Sequence, residues 1–248
     1  MSKKNREADR ASRAAAALAE QQREERRRRN LMVGGVVAVL LVIVVGGFFL
    51  ARALDTTTDV DAPAAGSEFG LTIGPDDAPH SVIIYEDFLC PYCGELERAS
   101  GDGLAELAAD GKVQVEYRPF VLLSTTDDRD FEYYSERAAG AFQIVLEESG
   151  AEVAKEFHDL LFENQPSEAG PFPSDDDLID LAVEAGAEES DVRDRIESQD
   201  GADAAARATQ AAADAGVNST PTVLLDGEVF QDGRTMDELA ENLIAQLQ

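Results

Sequence analysis

The apolar positions near the start of the chain are continuous rather than periodic. Residues 31–50 contain no charged side chain, four consecutive arginines precede them closely, and one arginine follows. A helix of twenty residues is ~30 Å long, which matches the hydrocarbon thickness of a bilayer. We therefore predict one transmembrane helix over residues 31–51. Because positively charged flanks stay on the cytoplasmic side, residues 1–30 are predicted to form a cytoplasmic basic tail.

The segment after the apolar run bears on whether the chain stays attached to the membrane. Ala51-Arg52-Ala53 imitates the small-residue site at which signal peptides are cleaved. The apolar run is longer than the usual ~7–15 residues of a signal-peptide core and begins late, so we expect an uncleaved signal anchor. Residues 52–68 have no apolar period, which predicts a flexible linker. The remaining domain, residues 69–248, is then expected on the extracytoplasmic side of the cell membrane.

Periodic segments follow the linker and predict strands and helices. An apolar β-branched run over 80–86 and alternation over 112–118 predict two strands around a helix, which Gly101-Asp102-Gly103 should kink or break. This order predicts a βαβ unit with a parallel strand pair. Helical spacing then recurs in five segments, at 131–148, 153–162, 175–184, 191–196 and 202–215. The chain is predicted to close with a β-hairpin over 222–230 and an amphipathic helix over 236–247, capped by Thr235 or Asp237.

Charge is distributed unevenly between residues 1–30 and the rest of the chain. The formal net charge is −29, but residues 1–30 carry ten basic and five acidic side chains, which leaves −34 on the rest. A domain this acidic repels phosphate backbones, so nucleic acid is excluded as its partner. A hydrophobic content of 44% is typical of a globular protein rather than of a mostly disordered chain.

The chain has two cysteines, Cys90 and Cys93, at the start of the first predicted helix. Their spacing places both sulfurs at one helix end, close enough for a disulfide. Unpaired N–H groups and the helix dipole favour a thiolate at Cys90. Pro91 fits the first turn because its missing N–H would have no partner there. Cys93, one turn further, is expected to be shielded and to act as the resolving thiol.

Acidic neighbours oppose a low thiol pKa at this helix start; they are Glu86, Asp87, Glu95 and Glu97. An exposed charge contributes ~1 kcal/mol at 4 Å in water, and direct N–H contacts to the sulfur are expected to outweigh it. Two other interpretations of the pair are a zinc half-site and a structural disulfide. A zinc site lacks a second cysteine pair, and so short a disulfide loop constrains little of the unfolded chain. A redox-active pair is therefore the main hypothesis.

Two separated motifs carry a family resemblance. Residues 85–93, Tyr-Glu-Asp-Phe-Leu-Cys-Pro-Tyr-Cys, and residues 219–223, Ser-Thr-Pro-Thr-Val, resemble the DsbA-like thiol–disulfide oxidoreductases of the thioredoxin superfamily. The resemblance covers about 70–248 and implies a thioredoxin-like α/β fold with a helical insertion over about 130–216.

The same resemblance implies roles for individual residues. Cys90 and Cys93 would be catalytic, with Pro91 and Tyr92 between them in the active-site helix. The proline matching Pro221 is cis in the family and faces the active disulfide. The residue before it, here Thr220, would bind an extended substrate chain through its backbone. No metal and no cofactor is predicted.

One position departs from the family pattern. Members often carry a buried acid six residues before the first cysteine, and Ile84 occupies that position here. Asp87, three residues before that cysteine, does match many relatives. Proton handling at the second cysteine therefore falls to water, to Glu86 or to a group not identified from the sequence, with Asp87 as a further candidate.

His158 lies beside apolar residues of a predicted helix and is interpreted as a packing or surface histidine.

The expected activity is disulfide formation in exported, cysteine-containing proteins. A substrate thiolate would attack Cys90, and a second substrate thiol would resolve the mixed disulfide and leave both cysteines reduced. The resemblance implies that a quinone-linked membrane enzyme, DsbB-like or vitamin-K-epoxide-reductase-like, reoxidises the pair. Two alternatives stay open, because the sequence does not give the direction of electron flow. One is a reductase or isomerase, as in cytochrome c maturation, and the other is a non-enzymatic metallochaperone or binding module.

Overall fold

A five-stranded mixed sheet lies at the centre of the computed structural model, which describes residues 60, 66–123 and 133–248. Its strands are β1 (Leu71–Ile73), β2 (His80–Glu86), β3 (Val113–Pro119), β4 (Thr222–Leu225) and β5 (Glu228–Val229). Their order across the sheet is β1-β3-β2-β4-β5. Strands β2 and β3 are parallel, with Val82 opposite Val115, and the other neighbouring pairs are antiparallel.

The helices of the described residues pack on both faces of this sheet. They are α1 (Pro91–Ala109), α2 (Tyr134–Glu163), α3 (Asp175–Glu184), α4 (Glu189–Glu197), α5 (Ala202–Asp214) and α6 (Met236–Gln246). Helix α1 connects the parallel strands β2 and β3, so the predicted βαβ unit is confirmed. The predicted hairpin is confirmed as β4 and β5. Four helices, α2 to α5, lie between β3 and β4.

Strand β2 shows how the sequence pattern builds two cores. Successive side chains of a strand point to opposite faces of the sheet. Val82 and Ile84 join the larger core, which α1, α2, α3, α4 and α6 cover. Ile83 and Tyr85 join the smaller core on the other face, together with Ala212 of α5. Both faces of β2 are therefore buried, which explains its continuous apolar run.

Glycines explain one difference between prediction and structure and one agreement. The expected break at Gly101-Asp102-Gly103 is wrong, because α1 is continuous through these residues. A Cβ on Gly103 would lie 2.7 Å from the side chain of Ile244 in α6, so glycine here allows the two helices to pack closely. Conversely, α2 contains a break at Gly150, whose φ of 80° falls in the left-handed region that favours glycine. The prediction of two helical segments there is therefore confirmed, and the break between them lies at Gly150.

The membrane predictions fall largely outside the described residues. These include the transmembrane helix over 31–51, the basic tail and most of the linker. All described residues belong to the second of the two units into which the chain divides, Thr58–Gln248. No helix in this described part is long and apolar enough to cross a membrane.

Candidate active site

The two cysteines lie where the central strand β2 leads into helix α1. Cys90 is the N-cap residue with extended backbone (φ −70°, ψ 117°), and Pro91 follows as the first helical residue. A turn closes the connection, because the Cys90 N–H donates to the carbonyl of Asp87 at 2.9 Å. Both thiols are free. The strand therefore fixes the start of the helix, and the helix start fixes Cys90.

The environment of Cys90 favours its thiolate. A hydrogen bond from the Cys93 thiol is the largest influence and, with further hydrogen bonds from Thr220 and the helix-start N–H groups, lowers the pKa of Cys90 to about 6. Partial burial opposes this but is outweighed. The direction agrees with the expectation for a thiol at a helix N-terminus.

Cys93 has the opposite character. Its residue is 1% exposed. Burial raises the pKa of Cys93 well above its usual value, and the hydrogen bond and charge of Cys90 raise it further. One thiol is therefore ready to exchange at neutral pH, and the other must lose a proton before it can react. This difference in pKa is the main chemical property of the site.

The second sequence motif lies against the first. The Thr220–Pro221 peptide bond is cis. The Cys90 Sγ lies 3.5 Å from the carbonyl oxygen of Thr220, a residue 130 positions later in the chain. Thr222 supports this loop, since its hydroxyl donates to the carbonyl of Ser219 at 2.7 Å. The fold thus brings together the residues that the resemblance singled out.

Asp87 organises the loops around the cysteines. It is fully buried, and its two carboxylate oxygens accept four hydrogen bonds. The donors are the N–H groups of Leu89, Leu122 and Leu123, each at 2.8 Å, and the hydroxyl of Ser135 at 2.7 Å. Because these donors occupy both oxygens, the geometry favours a structural role for Asp87 over the proton handling for which it was a candidate.

Glu86 lies in a buried polar cluster with two other residues. Its Oε1 is 2.5 Å from His158 Nε2, and its Oε2 has no hydrogen-bond partner. The carboxyl group of Glu97 in α1 is also buried, and one of its oxygens has no partner. Glu97 was expected to act as an exposed charge near the thiols, and its burial corrects that expectation.

Charges in this cluster shift the pKa values of its members. Burial alone would lower the pKa of His158, but attraction to Glu86 and hydrogen bonds to Asp159 and Glu86 raise it to about 10. Burial and repulsion from Glu86 raise the pKa of Glu97 to about 8. At neutral pH, the histidine is therefore charged and Glu97 is mostly neutral. Sequence reasoning gave His158 only a packing or surface role, because 72 residues separate it from Glu86.

The cluster also contains metal-ligating atoms. Ligand atoms of Glu86, Glu97 and His158 lie within 4.8 Å of one another. However, both ring nitrogens of His158 already face carboxylate oxygens, those of Glu86 and Asp159. A metal would have to displace a proton from the histidine. The arrangement is therefore better suited to hydrogen bonding than to metal binding.

Gln165 is a further residue that the sequence did not indicate. It follows α2, and its side-chain amide donates to the carbonyls of Phe88 and Cys90, at 3.0 and 2.9 Å. The helical segment between β3 and β4 is thereby attached directly to the active-site turn. Neither a motif nor a periodic pattern marks this glutamine.

Comparison with known proteins identifies the family. A family model described as thioredoxin matches residues 67–244. The chain belongs to the thioredoxin family. Among solved structures, this thioredoxin-family chain is similar to the reduced disulfide bond oxidoreductase DsbG of Mycobacterium tuberculosis, with a TM-score of 0.62 and 32% identity. That match covers 74% of this chain and 88% of DsbG.

Two further solved structures support the same fold. Reduced DsbA of Mycobacterium tuberculosis is 31% identical with a TM-score of 0.60, over 72% of this chain and 90% of that one. The thiol-disulfide oxidoreductase MdbA of Corynebacterium diphtheriae is 22% identical with a TM-score of 0.60, over 78% of this chain and all of MdbA, which concerns the fold alone. The predicted thioredoxin-like fold is confirmed, and the chain is a thiol–disulfide oxidoreductase by family.

Curated relatives match over a shorter part of their own length. The Na(+)/H(+) antiporter NhaA 3 of Salinispora tropica is 30% identical over 154 residues, and the serine/threonine-protein kinase PknE of Mycobacterium tuberculosis is 31% identical over 123 residues. The chain spans about a fifth of the length of these curated relatives, since each alignment covers 21% of the relative. Ion antiport and protein phosphorylation are therefore attributed to those proteins only.

Proposed function

We propose that this oxidoreductase forms disulfides in exported proteins, with Cys90 as the sulfur that exchanges with substrate and Cys93 as the resolving thiol. The observation that carries the proposal is the difference between the two thiols. The pKa of Cys90 is lowered to about 6, whereas that of Cys93 is raised well above its usual value. A thiolate stabilised in the reduced form makes a disulfide more oxidising, which favours transfer of the disulfide to substrates.

The surface next to Cys90 suits an unfolded polypeptide substrate. Within the described residues, three large apolar side chains are exposed. Two of them, Tyr92 at 60% and Leu122 at 36%, belong to segments that adjoin the cysteine pair. The Thr220 carbonyl and Pro221 border Cys90 on its other side. We infer that Thr220 and Pro221 bind an extended chain through backbone contacts while the apolar side chains contact its side chains.

The reaction runs through a mixed disulfide. A substrate thiolate attacks the Cys90 sulfur, and the bond to Cys93 breaks. Cys93 leaves as a thiolate and takes up a proton. A second thiolate of the substrate then attacks the substrate sulfur that is bonded to Cys90. This step gives an oxidised substrate and a reduced enzyme. We propose Glu86 as the proton carrier for Cys93, because it is buried, one of its oxygens has no partner, and its charge contributes to the raised pKa of Cys93.

The location and partners belong to the same proposal. The apolar run over 31–50 and the arginines before it support a single-pass anchor with the catalytic domain outside the cytoplasm. Reoxidation is then assigned to a quinone-linked membrane enzyme of the DsbB-like or vitamin-K-epoxide-reductase-like kind. In fractionated cells, the full-length chain should stay with membranes after a salt wash, and external protease should degrade its domain. A soluble mature form starting near Leu54 would contradict the anchor.

A disulfide-transfer assay tests the activity. The oxidised protein is mixed with an equimolar amount of a reduced, unfolded protein that contains two cysteines, and substrate disulfides are counted by mass spectrometry. We expect nearly one disulfide transferred per enzyme, and none with Cys90→Ala. When a substrate that contains disulfides is added, Cys93→Ala should accumulate mixed disulfides between Cys90 and the substrate, because the thiol that resolves them is missing. Failure of the wild-type protein to exchange with either substrate would contradict the proposed function.

A further inference from the structure

His158 is a buried charged group that has no part in the reaction described so far. Four aromatic rings surround its imidazole, with centroids between 4.6 and 6.3 Å away: Phe88, Tyr117, Phe142 and Phe162. Inside this apolar shell, its Nε2 lies 2.5 Å from Glu86 and its Nδ1 lies 3.0 Å from Asp159. A doubly protonated ring donates to both carboxylates, and the attraction of Glu86, which helps to raise the pKa of His158 to about 10, favours this imidazolium.

The groups that face the ring come from four elements. Glu86 ends β2, Glu97 lies in α1, Tyr117 in β3, and Lys155 and Asp159 lie in α2 with His158. Lys155 is paired with Asp159 at 2.6 Å, and the Tyr117 hydroxyl has no partner. His158 is therefore the cation that Glu86 contacts directly. Two buried acids close to one buried cation cannot both be ionised at low cost, and the one in contact with the cation keeps its charge.

We propose that His158 is a positioning residue for disulfide exchange, which holds Glu86 ionised and oriented, with one carboxylate oxygen free to accept the proton of Cys93. Glu97 is the second acid of the cluster and stays neutral. This inference rests on the proposed function, because it concerns the step in which Cys93 reacts. It goes further because it names His158, in the helical segment between β3 and β4, as the residue that keeps the proton carrier Glu86 ionised.

The proton and electrons balance within the site. When the mixed disulfide at Cys90 closes, the S–H bond of Cys93 breaks and an O–H bond forms on Glu86. The Cys93 sulfur attacks the Cys90 sulfur, the intramolecular disulfide forms, and the former partner leaves as a thiolate with the electron pair. In the reverse step, Cys93 leaves and takes the proton back from Glu86. Over a full cycle of oxidation and reduction, the carboxyl group has no net gain of protons.

The test measures the closing step in the full-length chain carrying His158→Gln. Reduced protein is mixed with excess oxidised glutathione, quenched with acid at successive times, and analysed by mass spectrometry for the mixed disulfide and the closed form. Without the imidazolium, the buried Glu86 carboxylate loses the cation that contacts it, which disfavours the form that accepts the Cys93 proton. We expect closure at least tenfold slower at pH 7 and a closure profile displaced to higher pH. The thiolate absorbance of Cys90 should titrate as in the wild-type chain.

His80 offers a matched control, since it is the other histidine of the chain and pairs with Asp226 at 2.9 Å on the surface. His80→Gln should close at the wild-type rate. Glu86→Gln and the double variant Glu86→Gln/His158→Gln complete the experiment. Because His158 acts through Glu86, the double variant should close no more slowly than Glu86→Gln alone. The double variant does not leave the Glu86 carboxylate buried without its histidine, so it keeps the test decisive if His158→Gln fails to fold.

Two outcomes overturn the inference. One is a wild-type closure rate and pH profile in His158→Gln. The other is a double variant that closes at least tenfold more slowly than Glu86→Gln, which would mean that the histidine acts independently of Glu86. Either result leaves the proposed function intact, provided that the wild-type chain exchanges with glutathione. Absence of any exchange at Cys90 in the wild-type chain would instead refute the proposed function.

Discussion

Asp87 should contribute more to the stability of the domain than any charge on its surface. Substituting Asp87→Ala removes the acceptor of four hydrogen bonds, whose donors are Leu89, Leu122, Leu123 and Ser135. A buried donor left without a partner costs ~1–3 kcal/mol. The Ser135 hydroxyl can rotate toward another acceptor, and water can enter part of the space. We therefore expect the free energy of unfolding to fall by ~3–5 kcal/mol, a large share of the ~5–15 kcal/mol of a typical domain.

Urea denaturation of the purified domain measures this loss. With a slope of ~2 kcal/mol per molar, the midpoint should fall by about 2 M. Asp76→Ala is a matched control, because Asp76 is exposed and accepts one side-chain hydrogen bond from Gln114. It should change the free energy of unfolding by less than ~0.5 kcal/mol. If Asp87→Ala unfolds at the control's midpoint while disulfide exchange is lost, Asp87 is a proton carrier and the structural role argued for it is wrong.

Three further predictions concern the thiols and the groups around them. Thiolate absorbance at 240 nm should titrate Cys90 with a pKa of about 6, and Cys93→Ala should raise that pKa because the Cys93 hydrogen bond is its largest cause; an unchanged pKa would contradict this. Gln165→Ala should lower the free energy of unfolding in urea by ~1–2 kcal/mol, since the carbonyl of Phe88 loses its side-chain donor and that of Cys90 keeps the N–H of Gly94. The pKa of Glu97 is about 8 in the fold and near 4.5 when unfolded, so its contribution to stability is complete below pH 4.5 and is lost as the pH rises through 8. Glu97→Gln should therefore reduce the fall in stability between pH 5 and pH 8, and an unchanged fall would show that Glu97 is not buried as a neutral acid.

Local patterns were sufficient to predict the framework of the site. The apolar run of β2, the alternation of β3 and the hairpin depend on side-chain periodicity within a few residues, and the structure has them within one residue of the expected bounds. The position of Cys90 at a helix start was predicted from the same kind of local pattern. Strand β1 was not predicted, because three residues are too few to show a period.

The remaining features depend on contacts between distant segments. Glu86 meets His158 across 72 residues, and Gln165 reaches the active-site turn across more than seventy. Neither contact leaves a periodic trace in the sequence, because each requires the packing of α2 against the sheet. Gly103 looked like a helix breaker because its packing partner, Ile244, lies in the last helix. A residue's own segment predicts its secondary structure, but its chemical role here depends on what packs against it.

The reduction potential of the Cys90–Cys93 pair is the most direct test of the account. The protein is equilibrated with defined ratios of reduced and oxidised glutathione or dithiothreitol, and the fraction of intramolecular disulfide is measured by thiol alkylation and mass spectrometry. A disulfide-forming enzyme with a stabilised Cys90 thiolate should have a potential closer to the ~−120 mV of a strong oxidant than to the ~−270 mV of thioredoxin. A potential at or below ~−270 mV would assign the domain to disulfide reduction and contradict the proposed direction of electron flow.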